Sequence, residues 1–130
     1  MTFDNLKPVT IKLIRLFIGA TFLFQGIRAA TKQPDFLRLV AESPIFDLSF
    51  IPIAFTPSVF LTLVAIFDFT IAFLLFTGVA PRKTAIHGFI WICLVMGNSL
   101  VIGRLIETVD SVGYLGALLA IIIWDKQKPK

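Results

Sequence analysis

The chain has 130 residues, 57% of them hydrophobic and only 15% charged, against about 45–50% and about 25% in an ordinary globular domain. Fourteen Phe in so short a chain suit a lipid-facing exterior better than a compact water-soluble core. The formal charge is +4, but the basic residues stand at the ends of apolar runs rather than in a stripe, which excludes nucleic acid as an expected partner.

In chain order, residues 1–8 are a short polar lead and residues 9–28 the first apolar span, close to the ~20 residues that cross the hydrocarbon of a bilayer. Lys7, Lys12 and Arg15 ahead of this run resemble a secretory signal. A cleavage after Ala30 would put Arg28 where a small residue is wanted, so the run reads as a retained span. Arg15, Gly19, Phe22 and Gly26 share one helical face, and the two glycines would let a neighbouring helix come close. That face is a packing seam or a ligand groove.

Residues 31–56 are too long for a turn and too interrupted for a span. Pro34 can open a short helix, DFLRLVAE, with Phe36, Leu37 and Val40 on one side, and Pro44 ends it. IFDLSFIPIAF follows, apolar but broken by Asp47 and Pro52. The region reads as an amphipathic piece in the interface plane, covering one end of a helix bundle.

Thr56-Pro57 is a helix start: a hydroxyl cap, then proline at the first helical position. The second span covers 57–78 and carries Asp68 at the centre of LTLVAIFDFTIAFLLF. A carboxyl at that depth costs about 2.5–3.5 kcal/mol on insertion scales, so it needs a partner, a proton or a task. Pro81-Arg82-Lys83 makes a corner before the third span, 84–106, with His87, Trp91, Cys93, Met96 and Asn98. Residues 108–111 read as the next corner, with Asp110 or Ser111 capping the fourth span, 111–124. Small residues four apart there, Gly113 with Ala117 and Gly116 with Ala120, suit close helix contact. The expected fold is therefore an all-α membrane protein, one domain with four transmembrane helices in a bundle and an amphipathic segment in the first outer loop.

Four spans put both ends of the chain on one side. Eight basic residues fall on that side (Lys7, Lys12, Arg15, Arg82, Lys83, Lys126, Lys128, Lys130) and four on the other (Arg28, Lys32, Arg38, Arg104), which places the termini in the cytoplasm. Tyr114 near the outer surface and Trp124 near the inner one are the expected interface anchors.

RLFIGATFLFQGIR followed by QPDF resembles the opening of the DoxX-like membrane proteins. The match is Arg15, Gly19 four residues on, Gly26 a heptad later, a basic Arg28, then Pro34 and an aromatic. The second span is similar too, with an acidic residue, Asp68, before a glycine-terminated corner at Gly78, and VAESPIF resembles an outer-loop element of that broad superfamily. The resemblance implies a four-helix bundle in a bacterial inner membrane. It also implies a small subunit near quinone-coupled sulfur oxidation, a terminal oxidase or a thiol-redox complex. The glycine-rich ending with Ser and Asp common in that family is missing; the chain closes with YLGALLAIIIWDKQKPK.

Asp68 is the candidate catalytic residue, as a proton-carrying or quinone-facing carboxyl. Its structural reading is a buried acid hydrogen-bonded to Gln25, Asn98 or a hydroxyl, or paired with Arg15. Arg15, Gln25, Trp91 and Asn98 are the candidate lining of a quinone or polar pocket; Arg15 is otherwise a snorkelling side chain and Trp91 a packing residue. Arg28 and Arg104 are interface residues or a two-arginine clamp. Cys93, the one cysteine, rules out an intrachain disulfide or a CxxC pair, and with His87 alone no metal site is expected. His87 and Met96 cannot both ligate one haem from one helix, being nine residues and ~13 Å apart along the axis on opposite faces. No intrinsic cofactor is expected, only a possible quinone. The expected partners are the lipid bilayer and other protein subunits. With no phosphate loop, nucleophile elbow or triad, the chain is not expected to be an enzyme alone. The leading expectation is a subunit of a quinone-linked oxidoreductase. A stand-alone proton or small-molecule carrier and a non-catalytic assembly factor are the rivals.

Overall fold

The computed structural model describes residues 3–48 and 51–126. Ser49 and Phe50, in the expected amphipathic stretch, and the tail lysines Lys128 and Lys130 lie outside the described residues. Five α-helices follow in the order α1 (Phe3–Ala30), α2 (Pro34–Ala41), α3 (Pro57–Thr77), α4 (Pro81–Val101) and α5 (Leu105–Lys126), with a 3₁₀ turn at Pro44–Asp47. Among the described residues there is no strand. α1, α3, α4 and α5 each contain a run of 19 to 23 residues long and apolar enough to cross a membrane. Helices suit that setting because each satisfies its own backbone groups where no water is at hand. The chain is an all-α, four-span membrane protein.

The helix ends follow from local chemistry. Val59 N–H donates to the Thr56 hydroxyl at 3.3 Å, with Pro57 at the first helical position of α3. α3 stops at Gly78, whose φ of 75° a side chain would resist and whose N–H donates to Leu74 O at 3.0 Å. α4 stops at Val101, earlier than expected, because Gly103 turns left-handed at φ 77° and Arg104 N–H closes back on Ser99 O at 2.8 Å. The corner therefore lies at 102–104, not 108–111. Residues 108–111 look like a cap in sequence because hydroxyls and acids favour caps. Inside α5, however, Thr108 and Ser111 donate their hydroxyls back to Arg104 O and Glu107 O, at 2.9 and 2.8 Å.

α1 packs along α3 and α4 along α5 in the two broad contacts, while α1–α5 and α3–α4 close the ring more narrowly. The expected glycine face of α1 forms the first contact. A Cβ at Gly19 would lie 3.2 Å from the Phe76 ring, and one at Gly26 would lie 2.9 Å from the Phe69 ring. The small residues of the fourth span do not act this way inside the chain: a Cβ at Gly113 or Gly116 would meet nothing within 4 Å. α5 instead presses Leu118 against α4 at Gly88, 3.3 Å from a Cβ placed there.

Ile18, Ile71, Leu75, Ala85, Leu118 and Ile121 fill the half of the bundle nearer the start of α1 and the end of α5. A second cluster, Ala29, Val40, Leu61, Val64 and Ala65, joins α1, α2 and α3 in the loop half. α2 covers the loop end with Val40 buried and Phe36 and Leu37 packed on that cluster, while Asp35 and Arg38 stay exposed. The outer faces are apolar: Leu13, Phe17, Phe24, Ile66, Phe73 and Leu94 are each at least 60% exposed, as contact with a lipid bilayer requires.

Candidate functional site

The ring of four long helices is not filled along its whole length. Its loop half holds an open cavity of about 620 Å³, bordered at the loop end by α2 and by Ser43-Pro44. Asp68 of α3, Trp91 of α4 and Tyr114 of α5 line it, each near the middle of its helix. Apolar side chains such as Phe22, Phe60, Val64, Ile92 and Val95 form much of the wall, and Arg28, Asp35, Arg104, Glu107 and Asp110 stand at the loop end.

Asp68 faces this space because it falls on the buried stripe of α3, with Leu61, Val64, Ala65, Ala72 and Leu75 at helical spacing. It is 2% exposed, and its Oδ1 has no hydrogen-bond partner. The Trp91 side chain lies beside the carboxyl. Trp91 is held by Phe67 and Phe60 of α3, at ring-centroid distances of 5.3 and 6.5 Å. Phe60 in turn packs edge-on against Phe46 and Phe55 at 5.9 and 6.0 Å, so an aromatic wall runs from the loop to mid-bundle.

Gln25 and Asn98 line the same cavity. Gln25 turns its Oε1 to Arg28, accepting from Nη1 at 3.4 Å, while Arg28 Nε donates to Gln33 Oε1 at 2.5 Å. The Arg28 guanidinium also lies over the Phe36 ring, 5.1 Å from its centroid. Opposite, Arg104 meets Glu42 at 3.3 Å and Glu107 at 3.6 Å. Both arginines expected at the outer ends thus stand at the mouth, each already engaged by polar neighbours.

Arg15 is not part of this site. Its guanidinium packs on Gly78, where a Cβ would come within 3.2 Å of Cζ. Gly78 is ten residues beyond Asp68, ~15 Å along the helix, so the Arg15–Asp68 pair left open by the sequence does not form. The end of α3 carries the negative pole of the helix dipole, which favours a cation there. His87 is exposed, its Nδ1–H donating to Lys83 O at 2.8 Å, and Cys93 is a half-buried filler. Among the described residues no group of three or more His, Cys, Asp or Glu could hold a metal ion.

Sequence reasoning missed Thr21, Ser111 and Tyr114 as lining residues. The sequence places Tyr114 as an interface anchor near the outer surface, but because α5 begins at Leu105 it lies nine residues into the helix. The signal was present in the face Glu107, Ser111, Tyr114, Leu118, Ile121, which is polar along the cavity and apolar where the core closes.

No family model, no curated protein and no solved structure matches the chain. What the site can do follows from its own residues. A volume of this size suits one small organic molecule. Apolar walls with one unsatisfied carboxyl at the inner end select a flat or chain-like apolar body carrying a hydrogen-bonding head.

Proposed function

We propose that this protein is a small integral subunit of a membrane redox complex, which holds a quinone in the cavity with the ring near Asp68 and Trp91. The observation that carries the reading is the partnerless Oδ1 of Asp68, buried in the deep part of a largely apolar cavity whose charged residues stand at the loop end. An orphaned buried oxygen is costly, and a ligand that bonds to it removes the cost. Trp91 offers an aromatic face to the ring, Asn98 and Gln25 offer further polar contacts, and the Asp68 carboxyl, when protonated, donates to a quinone carbonyl and, when ionised, accepts from the quinol hydroxyl. The DoxX-like opening of the chain and Asp68–Gly78 support the redox setting and a bacterial inner membrane. The excess of basic residues at the end with the termini supports a cytoplasmic location for both. Chemistry at the quinone then depends on electrons from partner subunits, so the chain has no turnover alone.

A stand-alone carrier would need a second opening. The packed side chains of Ile18, Ile71, Leu75, Leu118 and Ile121 close the other half of the bundle, so no observation favours that reading.

Binding is read from Trp91 fluorescence in purified protein carrying Trp124→Phe, titrated with decylubiquinone. Saturable quenching is expected, weakened about tenfold by Asp68→Leu, the equivalent of one buried hydrogen bond of ~1.4 kcal/mol. Absence of saturation, or equal affinity in Asp68→Leu, overturns the proposal. Co-purification of redox subunits after gentle detergent extraction tests the complex itself; recovery only with immature partners would point to an assembly factor.

A further inference from the structure

We infer that the cavity opens sideways into the bilayer along α4, so that its ligand is an amphiphile loaded from the lipid, with its apolar tail left outside the bundle. The tail assignment rests on the proposed ligand; the opening does not.

The opening is written in the exposure of the wall. Phe22, Val64 and Asp68, the lining of α1 and α3 at mid-depth, are buried, so those sides are closed. Leu94 and Val101 also line the cavity, yet they are 62% and 70% exposed. A side chain that borders both an internal space and the outside stands on a rim, not in a wall. Gly97 lies between them, also lines the cavity, and a Cβ there would meet nothing within 4 Å.

Helical geometry gives the side on which the rim lies. At about 100° per residue, Gly88 is about 60° to one side of Trp91 and Leu94 about 60° to the other. Gly88 faces α5 through Leu118, and Trp91 faces α3 through Phe67. Leu94, Gly97 and Val101 therefore lie away from α5, on the flank where α3 and α4 make only a narrow contact. That flank is at membrane depth, within the apolar span of α4, so what meets the opening is acyl chain rather than water. A water-soluble ligand has no use for such a gap. A headgroup with an isoprenoid or acyl tail fits it: head at Asp68, tail across Gly97.

The test needs no quinone. Protein carrying Trp124→Phe is reconstituted in phosphatidylcholine vesicles whose acyl chains bear bromine at mid-chain, and quenching of Trp91 is compared with that in the same protein carrying Gly97→Phe or Val101→Phe. Filling the gap with a close-packed ring excludes the chains, so bromine quenching falls by about half in each variant. Equal quenching in the parent protein and in both variants overturns the opening. If decylubiquinone fails to bind but the bromine difference persists, the quinone reading falls and the opening stands. If decylubiquinone binds and the bromine difference is absent, the opening falls alone.

Discussion

Asp68 presents a buried oxygen without a partner in the half of the bundle where apolar packing gives way to open space. A residue kept only to fix helix register would be expected to have its hydrogen bonds satisfied, as the buried Ser111 does with Glu107 O. This difference sets up a stability measurement. Asp68→Leu removes an unsatisfied polar group that costs about 1–3 kcal/mol, so thermal unfolding in detergent shifts upward while quinone affinity falls. Were Asp68 a register device, the same substitution would lower the melting temperature. Glu42 makes a second case. Its contact with Arg104 is half exposed, and such pairs contribute about 0–1 kcal/mol, so Glu42→Gln leaves the melting temperature nearly unchanged. Because that pair links the end of α2 to the α4–α5 corner, amide exchange of α2 should nonetheless speed up in Glu42→Gln.

The helices themselves were largely legible. Four apolar runs, Thr56-Pro57, Pro34 and Gly78 marked spans, starts and one stop by rules that act within a few residues. The corner after α4 was misread because Gly103 and the hydroxyl-rich 108–111 both look like breaks. Only the hydrogen bonds of Thr108 and Ser111 within α5 decide between them. That error moved Tyr114 from the cavity to the surface. The glycines show the same division between local and tertiary information. Gly19, Gly26, Gly113 and Gly116 are alike in sequence, yet only the α1 pair meets a neighbouring helix. Gly26→Leu should therefore overpack the Phe69 contact and destabilise the fold by about 1–3 kcal/mol, whereas Gly116→Leu should be neutral or stabilising. Detergent-melting curves of the two variants check this directly. Arg15 was unreadable for a related reason: composition placed it in the first span, but only packing shows its guanidinium on Gly78 rather than near Asp68.

At the scale of the whole molecule, the bundle is divided across its length. The half holding Ile18, Leu75, Ala85 and Leu118 is close-packed, and the half beneath α2 holds the cavity. A space confined to one half of the bundle suits a molecule that enters and leaves through that half, and the dry core behind it preserves the seal. This division depends on pairing four helices that no single stretch of sequence specifies, although the alternation of polar and apolar residues along α5 carries a trace of it. Single-cysteine accessibility in sealed vesicles, in a Cys93→Ser background, tests it most directly, using a small charged thiol reagent added to one side at a time. Asn98→Cys and Ser111→Cys should react from the loop side only and be protected by decylubiquinone, while Ala85→Cys and Leu118→Cys stay unreactive from either side. Reaction at position 85 or 118 as fast as at 98, or labelling of 98 from the side of the termini, would contradict a sealed, one-ended site.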